Sequence, residues 1–275
     1  MQVEAGGTDA QESQDLQDKE RAGIQSVEVG FALLEVLAQA KGPLMLRDLA
    51  AAAGMSAAKA HRYLVSFQRL ALVTQDSRNN RYDLGPAALR LGLAALSRTD
   101  AVKLARERIG PLMTQIGHTL ALAVWGNHGP TIVHWEEAPE AITVNLRLGD
   151  VMPLLASATG LCFAAHVAPD AIAPLLKEEL ARAQKLGRTD LPANTAALQV
   201  LLSEVRTRGA ARVMGTLLPG VTGFCVPVFD ADGHIALGIT ALGSQAMVDA
   251  DWGGAVCAPL RAAAAQWSLD LGYRA

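Results

Sequence analysis

Past residue 22, apolar positions along the first hundred residues recur mostly at helical spacing, broken by glycine, proline and short polar clusters. Residues 1–22 carry no such period and are rich in Gln, Asp and Glu, the composition of a disordered tail. Order is expected to begin at Ser26, an N-cap, with Val27, Phe31, Leu34 and Leu37 as a buried stripe ending at Lys41-Gly42-Pro43. A short helix over 46–53 follows, closed by Gly54. Ser56 then caps a third helix running to about residue 70, with Ala60, Leu64 and Phe67 facing inward. Helix, short helix, glycine turn and helix make a helix-turn-helix pattern. Two short strands, 71–75 and 81–84, joined by the turn-rich run 76–80, predict a β-hairpin wing. Gly85-Pro86 opens a further helix over 87–97.

Beyond residue 100 the pattern mixes helix and strand. A helix over 101–116, with a break considered at Gly110-Pro111, precedes strands at 120–126, 131–135 and 142–148. Helices are expected at 158–167, 171–185 and 195–208. A hairpin of 222–229 with 234–242 turns at Asp232-Gly233, and a last helix spans 255–271. The fold class is therefore α+β in two domains: a winged helix-turn-helix over 23–85, a linker helix over 86–99, and a larger domain over 100–275. The second domain should hold an antiparallel sheet with helices mostly on one face.

Charge changes the picture by its distribution. The net charge of −3 conceals six acids against two bases in residues 1–22, and seven bases against two acids in residues 41–82. The basic segment coincides with the helix-turn-helix pattern, as phosphate binding requires. On the third helix, Ala58, His61, Arg62 and Val65 share the face away from the buried stripe, with Lys59 beside Arg62. In such a motif this face enters the major groove: Arg62 can hold a guanine or a phosphate, Lys59 and His61 the backbone or single base edges. Arg78 and Arg81 in the wing then lie near phosphates or the minor groove. A solvated basic helix of an ordinary helical domain fits the same pattern.

Catalytic motifs fail to assemble. The six histidines show no HExxH or paired ligand spacing, and there is no Walker loop, GxGxxG or GxSxG. His134 and Glu136 alternate on a strand and could act together, though a polar strand end explains them equally. Cys162, Cys225 and Cys257 are far apart and odd in number, so neither a zinc site nor a disulfide framework is expected. The start of the chain has no apolar core of a signal, and no apolar run is long enough to span a membrane, so a cytoplasmic protein without cofactor or membrane partner is expected.

At residues 24–92 the chain resembles the DNA-binding domain of IclR-type transcription regulators. The landmarks are Ile24-Gln25-Ser26-Val27-Glu28, Leu49-Ala50 followed by Gly54, His61-Arg62-Tyr63-Leu64, Leu72-Val73, and Arg81-Tyr82-Asp83-Leu84-Gly85-Pro86. The likeness continues more weakly to about residue 272. It implies DNA contacts from Ser56, Lys59, His61, Arg62, Arg78 and Arg81. Where members commonly carry Lys-Ser-Thr early in the recognition helix, this chain has Ala57-Ala58-Lys59, so the usual base contacts do not carry over to positions 57 and 58.

For residues 100–272 the resemblance implies a GAF/PAS-like domain that binds a small organic acid and helps assemble homodimers or homotetramers. The matching segments contain Leu154, Thr159, Gly160, Gly223, Cys225, Thr240 and Leu242, which become the expected effector contacts. The polar or Cys position of members that bind very small oxo-acids falls on Gly223, and the second serine of their Ser-x-Ser falls on Leu242. A roomier, more apolar cavity is thus expected, suited to an aromatic or longer carboxylate. The implied function is a transcription regulator on double-stranded operator DNA under control of such an acid, repressor and activator both standing. A hydrolase or transferase using the C-terminal pocket is the alternative, and a nucleoid-type architectural protein a third.

Overall fold

A computed structural model describes residues 23–96, 100–139 and 146–274. The expected tail, residues 97–99, and residues 142–145 of the expected strand 142–148 lie outside these; residues 146–148 form no strand. The chain divides into two compact units between Arg98 and Thr99.

In the first unit, helices α1 (Gln25–Gln39), α2 (Leu46–Ala52) and α3 (Ala57–Arg69) enclose a core of Leu33, Leu37, Leu49, Ala60 and Leu64. Strands β1 (Val73–Gln75) and β2 (Tyr82–Leu84) pair antiparallel and add Val73 and Tyr82 to it. The expected face of α1 is corrected in its first half: Leu37 is buried and Leu34 packs against the core as expected, but Gly30 and Leu33 are buried while Val27 and Phe31 are 64% and 56% exposed. Several faces of this helix are apolar, so spacing alone cannot choose between them. Gly30 decides it, because a Cβ there would sit 3.0 Å from both the Tyr63 and Phe67 rings. The missing side chain lets α1 approach α3 closely. The α1 cap is likewise Ile24 rather than Ser26, with no side-chain bond. Helix α4 (Pro86–Leu96) follows the wing.

The second unit opens with α5 (Ala101–Ile116), capped by Asp100 and ended by left-handed Gly117; it runs through Pro111 without interruption. Strands β3 (Thr119–Gly126), β4 (Gly129–Glu136), β5 (Ala211–Met214), β6 (Val221–Phe229) and β7 (Ile235–Ser244) form one antiparallel sheet in the order β4-β3-β7-β6-β5. β5 is a short edge strand that its sequence pattern does not announce. The remaining helices are α6 (Ala158–His166), α7 (Pro169–Lys185), α8 (Thr195–Arg208) and α9 (Cys257–Asp270).

Helices cover both faces of the sheet, not mainly one. Phe224, Val226 and Ile239 point toward α5 and α9 and meet Ile109, Leu260 and Trp267. Cys225 and Ala211 point the other way, toward Leu161 and Cys162 of α6, with α8 behind them. The uniform apolarity of β6 and β7, unlike an alternating pattern, belongs to strands buried on both sides.

Candidate nucleic-acid face and effector cavity

The cap of α3 fixes which side chains stand outward. Ser56 is its N-cap, and its hydroxyl accepts the Lys59 N–H at 3.3 Å. Ser56 thus uses its oxygen on the helix it starts. Ala60 and Leu64 then turn into the core, which leaves Ala57, Ala58, Lys59, His61 and Arg62 exposed on the first two turns. Among the described residues no carboxylate pairs with Lys59 or Arg62. Two free cations and a histidine at the start of an exposed helix can meet phosphates or base edges.

In the wing, the Asp76 carboxylate accepts the Arg78 N–H and the Asn79 side chain at 2.8 Å each, and Asn80 adopts a left-handed φ of 57°. This tight turn leaves the Arg78 side chain exposed. Arg81 is only partly available: one guanidinium N–H donates to the Pro43 carbonyl at 3.0 Å, tying the wing to the loop before α2.

In the second unit, the Thr159 and Thr240 hydroxyls lie 2.8 Å apart, both buried, bridging the start of α6 to the centre of β7. They border a cavity of about 50 Å³ whose wall includes Met152, Val213, Leu217, Gly223 and Leu242. Gly223 and Leu242 face each other across β6 and β7, so their side of the sheet forms the base. Among the described residues, the Ala158 and Thr159 N–H groups have no acceptor, as expected in the first turn of a helix. Those donors and the two hydroxyls suit a carboxylate group.

Of the seven expected effector residues, the structure gathers Thr159, Gly223, Thr240 and Leu242 at this cavity and leaves three outside its wall. Leu154 is buried elsewhere, its N–H held by the Glu179 carboxylate at 2.7 Å. The Gly160 N–H is consumed by the Ser157 cap at 2.8 Å, and a Cβ there would fall 2.0 Å from the Pro153 carbonyl oxygen. Glycine at 160 therefore serves a close backbone approach. Cys225 is fully buried beside Cys162, whose thiol is pushed well above its ordinary pKa, chiefly by burial and also by Cys225. Such thiols are unreactive packing groups.

The expected apolar lining is present, but the expected roominess is not. An apolar cavity of about 150 Å³ is the scale that admits benzene, three times the space here. Leu146, Ser157 and Leu218 also line it; their types carry no ligand signal, so only tertiary placement finds them.

The other expected chemistry stays isolated. His134 Nε2 lies 3.2 Å from Glu136 Oε2 on β4, a strand-end pair that shares a shallow hollow with Lys103, Arg106 and Glu107 of α5. No described helix is long and apolar enough to cross a membrane.

Comparison with known proteins agrees with both halves of this geometry. Residues 26–77 match the IclR helix-turn-helix domain, and residues 93–269 match the family described as bacterial transcriptional regulator IclR C-terminal. A glycerol operon regulatory protein of Streptomyces griseus is 31% identical over 251 residues, covering 90% of this chain and 97% of its own length. The regulator BhcR of Paracoccus denitrificans is 29% identical, covering 87% and 81%. The crystal structure of Pseudomonas aeruginosa HmgR superposes with a TM-score of 0.82 at 40% identity, covering 91% of this chain and 99% of that one. An IclR homologue from Microbacterium hydrocarbonoxydans, complexed with 4-hydroxybenzoate, shares the fold at a TM-score of 0.53 and 21% identity, covering 90% and 98%. These relatives are regulators of transcription, which removes the hydrolase or transferase alternative. With a family match spanning most of the chain behind an exposed basic recognition helix, this protein belongs to the IclR family of bacterial transcription regulators and binds DNA.

Proposed function

We propose that this regulator reads operator DNA through Lys59, His61 and Arg62, and answers an organic acid held at Thr159 and Thr240. The observation that carries the reading is the outward face of α3, where Lys59 and Arg62 stand exposed with no carboxylate partner among the described residues. Arg78 and the remaining donors of Arg81 supply phosphate contacts from the wing. Ala57 and Ala58 offer methyl groups, which suit thymine edges.

The preferred ligand is an aromatic carboxylate. Its acid group would meet the free N–H groups of α6 and the threonine hydroxyls, and its ring the apolar side chains of Val213, Leu217 and Leu242. The relative complexed with 4-hydroxybenzoate supports that class. At about 50 Å³ the cavity must widen to admit a ring, so ligand binding and widening of the cavity are one event, and the ligand acts by favouring the wider state. A homodimer, or a tetramer built from dimers, presents two recognition helices to successive half-sites. Ile24, Val27 and Phe31 on and before α1, and Leu89, Leu91 and Leu93 on α4, are exposed apolar residues suited to that assembly.

Gel-shift titration against the DNA upstream of the regulator's own gene and its neighbours tests the first half. Arg62→Ala should weaken specific binding by about 10- to 100-fold, the worth of one bidentate base contact, with the second unit still folded. Unchanged affinity would refute the groove assignment. Calorimetry with 4-hydroxybenzoate, glyoxylate and pyruvate tests the second half; tight binding of the two- and three-carbon acids alone defeats the aromatic reading.

A further inference from the structure

A much larger hollow lies in the same unit, on the outer side of α6. It is a trough of about 800 Å³ between α7 and α8, floored by Ala164, Ala165 and His166 at the end of α6. Ile172, Leu176 and Leu180 form one wall, and Leu198 and Leu202 the other. Residues four apart share a helix face, so each helix turns an apolar stripe to the gap. Polar bridges close both ends. Gln184 Nε2 donates to the Ala193 carbonyl at 3.0 Å, and Arg206 Nη1 donates to the Ala165 carbonyl at 2.9 Å.

Charge around the trough has one sign. Arg206 and Lys177 border it and, among the described residues, no carboxylate does. Of the three acids of α7, Glu178 and Glu179 line the neighbouring hollow beside His128, where Glu179 is held on the Leu154 and Leu155 N–H groups, and Asp170 in the first turn is exposed and outside the trough's lining. Arg206 spends one of its five donors on Ala165, and among the described residues it has no ion pair. His166 lies beside it, with Nδ1 2.8 Å from the Cys162 carbonyl. Burial, above all, keeps this imidazole below its ordinary pKa, so the fixed charge at that end is the guanidinium.

We propose that the trough is a second ligand site, distinct from the Thr159–Thr240 cavity, for a monocarboxylate with a long apolar body. The carboxylate sits on Arg206 and the body lies along Ile172, Leu176, Leu198 and Leu202. The volume falls within the range of sites that enclose small organic ligands. Leu198 to Arg206 spans about 12 Å of helix, the reach of a chain on the order of ten carbons. One-sided positive charge excludes amines of the same shape and accepts acids.

The probe is 11-(dansylamino)undecanoate, titrated by fluorescence against the full chain. Saturable binding is expected, displaced by decanoate and not by decylamine at equal concentration. Ala181→Trp, which fills the trough from an exposed position, should weaken binding at least tenfold. Lys177→Glu, on the exposed rim, should do so through charge alone, and operator binding should hold in both variants. Thr240→Val should leave probe affinity unchanged. Absence of binding, equal displacement by the amine, indifference to both trough variants, or loss of binding in Thr240→Val would each overturn the proposal.

Discussion

At the scale of single residues, the wing depends on an alanine where glycine is usual. Ala71 follows the end of α3 with φ at 54°, and its N–H donates to the Gln68 carbonyl while Leu72 N–H reaches Phe67. That double bond pattern is a Schellman cap, whose left-handed position favours glycine. An L-side chain there costs about 1–2 kcal/mol, against about 0.4–1 kcal/mol of extra unfolded-state freedom for glycine. Ala71→Gly is therefore expected to stabilise the first unit by about 0.5–1 kcal/mol, read as slower hydrogen exchange in α3. Gly160 makes the opposite case. A methyl group there would collide with the Pro153 carbonyl and the Leu154 Cα, both backbone atoms with little room to yield. Gly160→Ala should destabilise the second unit by about 3 kcal/mol, seen as a lowered thermal midpoint even without ligand.

At the scale of elements, what the sequence made legible depended on whether pattern alone decides the matter. The third helix was readable because Ser56 marks its start and Ala60 and Leu64 define one face, leaving Lys59 and Arg62 outside. The face of α1 was not, since the choice lay with the rings of Tyr63 and Phe67 meeting Gly30 from another helix. Thr159, Thr240, Gly223 and Leu242 were readable through family resemblance, whereas Leu146 and Leu218 join the cavity only through folding. Two-sided coverage of the sheet was likewise hidden, because α5 and α9 are separated by more than a hundred residues before they pack on one face. Their pairing is fastened at the rim by Arg108 of α5 donating to Asp270 of α9, with Gln266 on the other carboxylate oxygen at 3.0 Å. The Arg108 hydrogen bond, foremost, holds the Asp270 carboxyl below its ordinary pKa. A depressed carboxyl stabilises the fold above its unfolded pKa, and that contribution vanishes as pH falls through the folded value. Asp270→Asn should thus lower thermal stability at pH 7 and converge with the parent protein in strong acid; a constant difference across pH would refute the pairing's role.

At the scale of the whole molecule, a regulator of this design must make its two units answer each other. If an acid at Thr159 and Thr240 changes operator affinity, operator DNA must change the acid's affinity by the same factor, since the two equilibria share one thermodynamic cycle. Couplings of this kind typically amount to about 5- to 150-fold. With 4-hydroxybenzoate as the ligand, its dissociation constant measured with and without saturating operator should shift by the factor seen in gel shifts with and without the ligand. The variants then separate the parts. Arg62→Ala weakens operator binding yet leaves ligand affinity in the free protein intact, because α3 and the cavity belong to different compact units. Thr240→Val removes one of the two hydroxyls at the cavity and should weaken the ligand about tenfold if that hydroxyl bonds the carboxylate, at about 1.5 kcal/mol for a hydrogen bond to a charged group, while ligand-free operator affinity stays put. Operator affinity that responds to the ligand equally well in Thr240→Val would move the sensor away from this cavity, with the trough between α7 and α8 the next place to look.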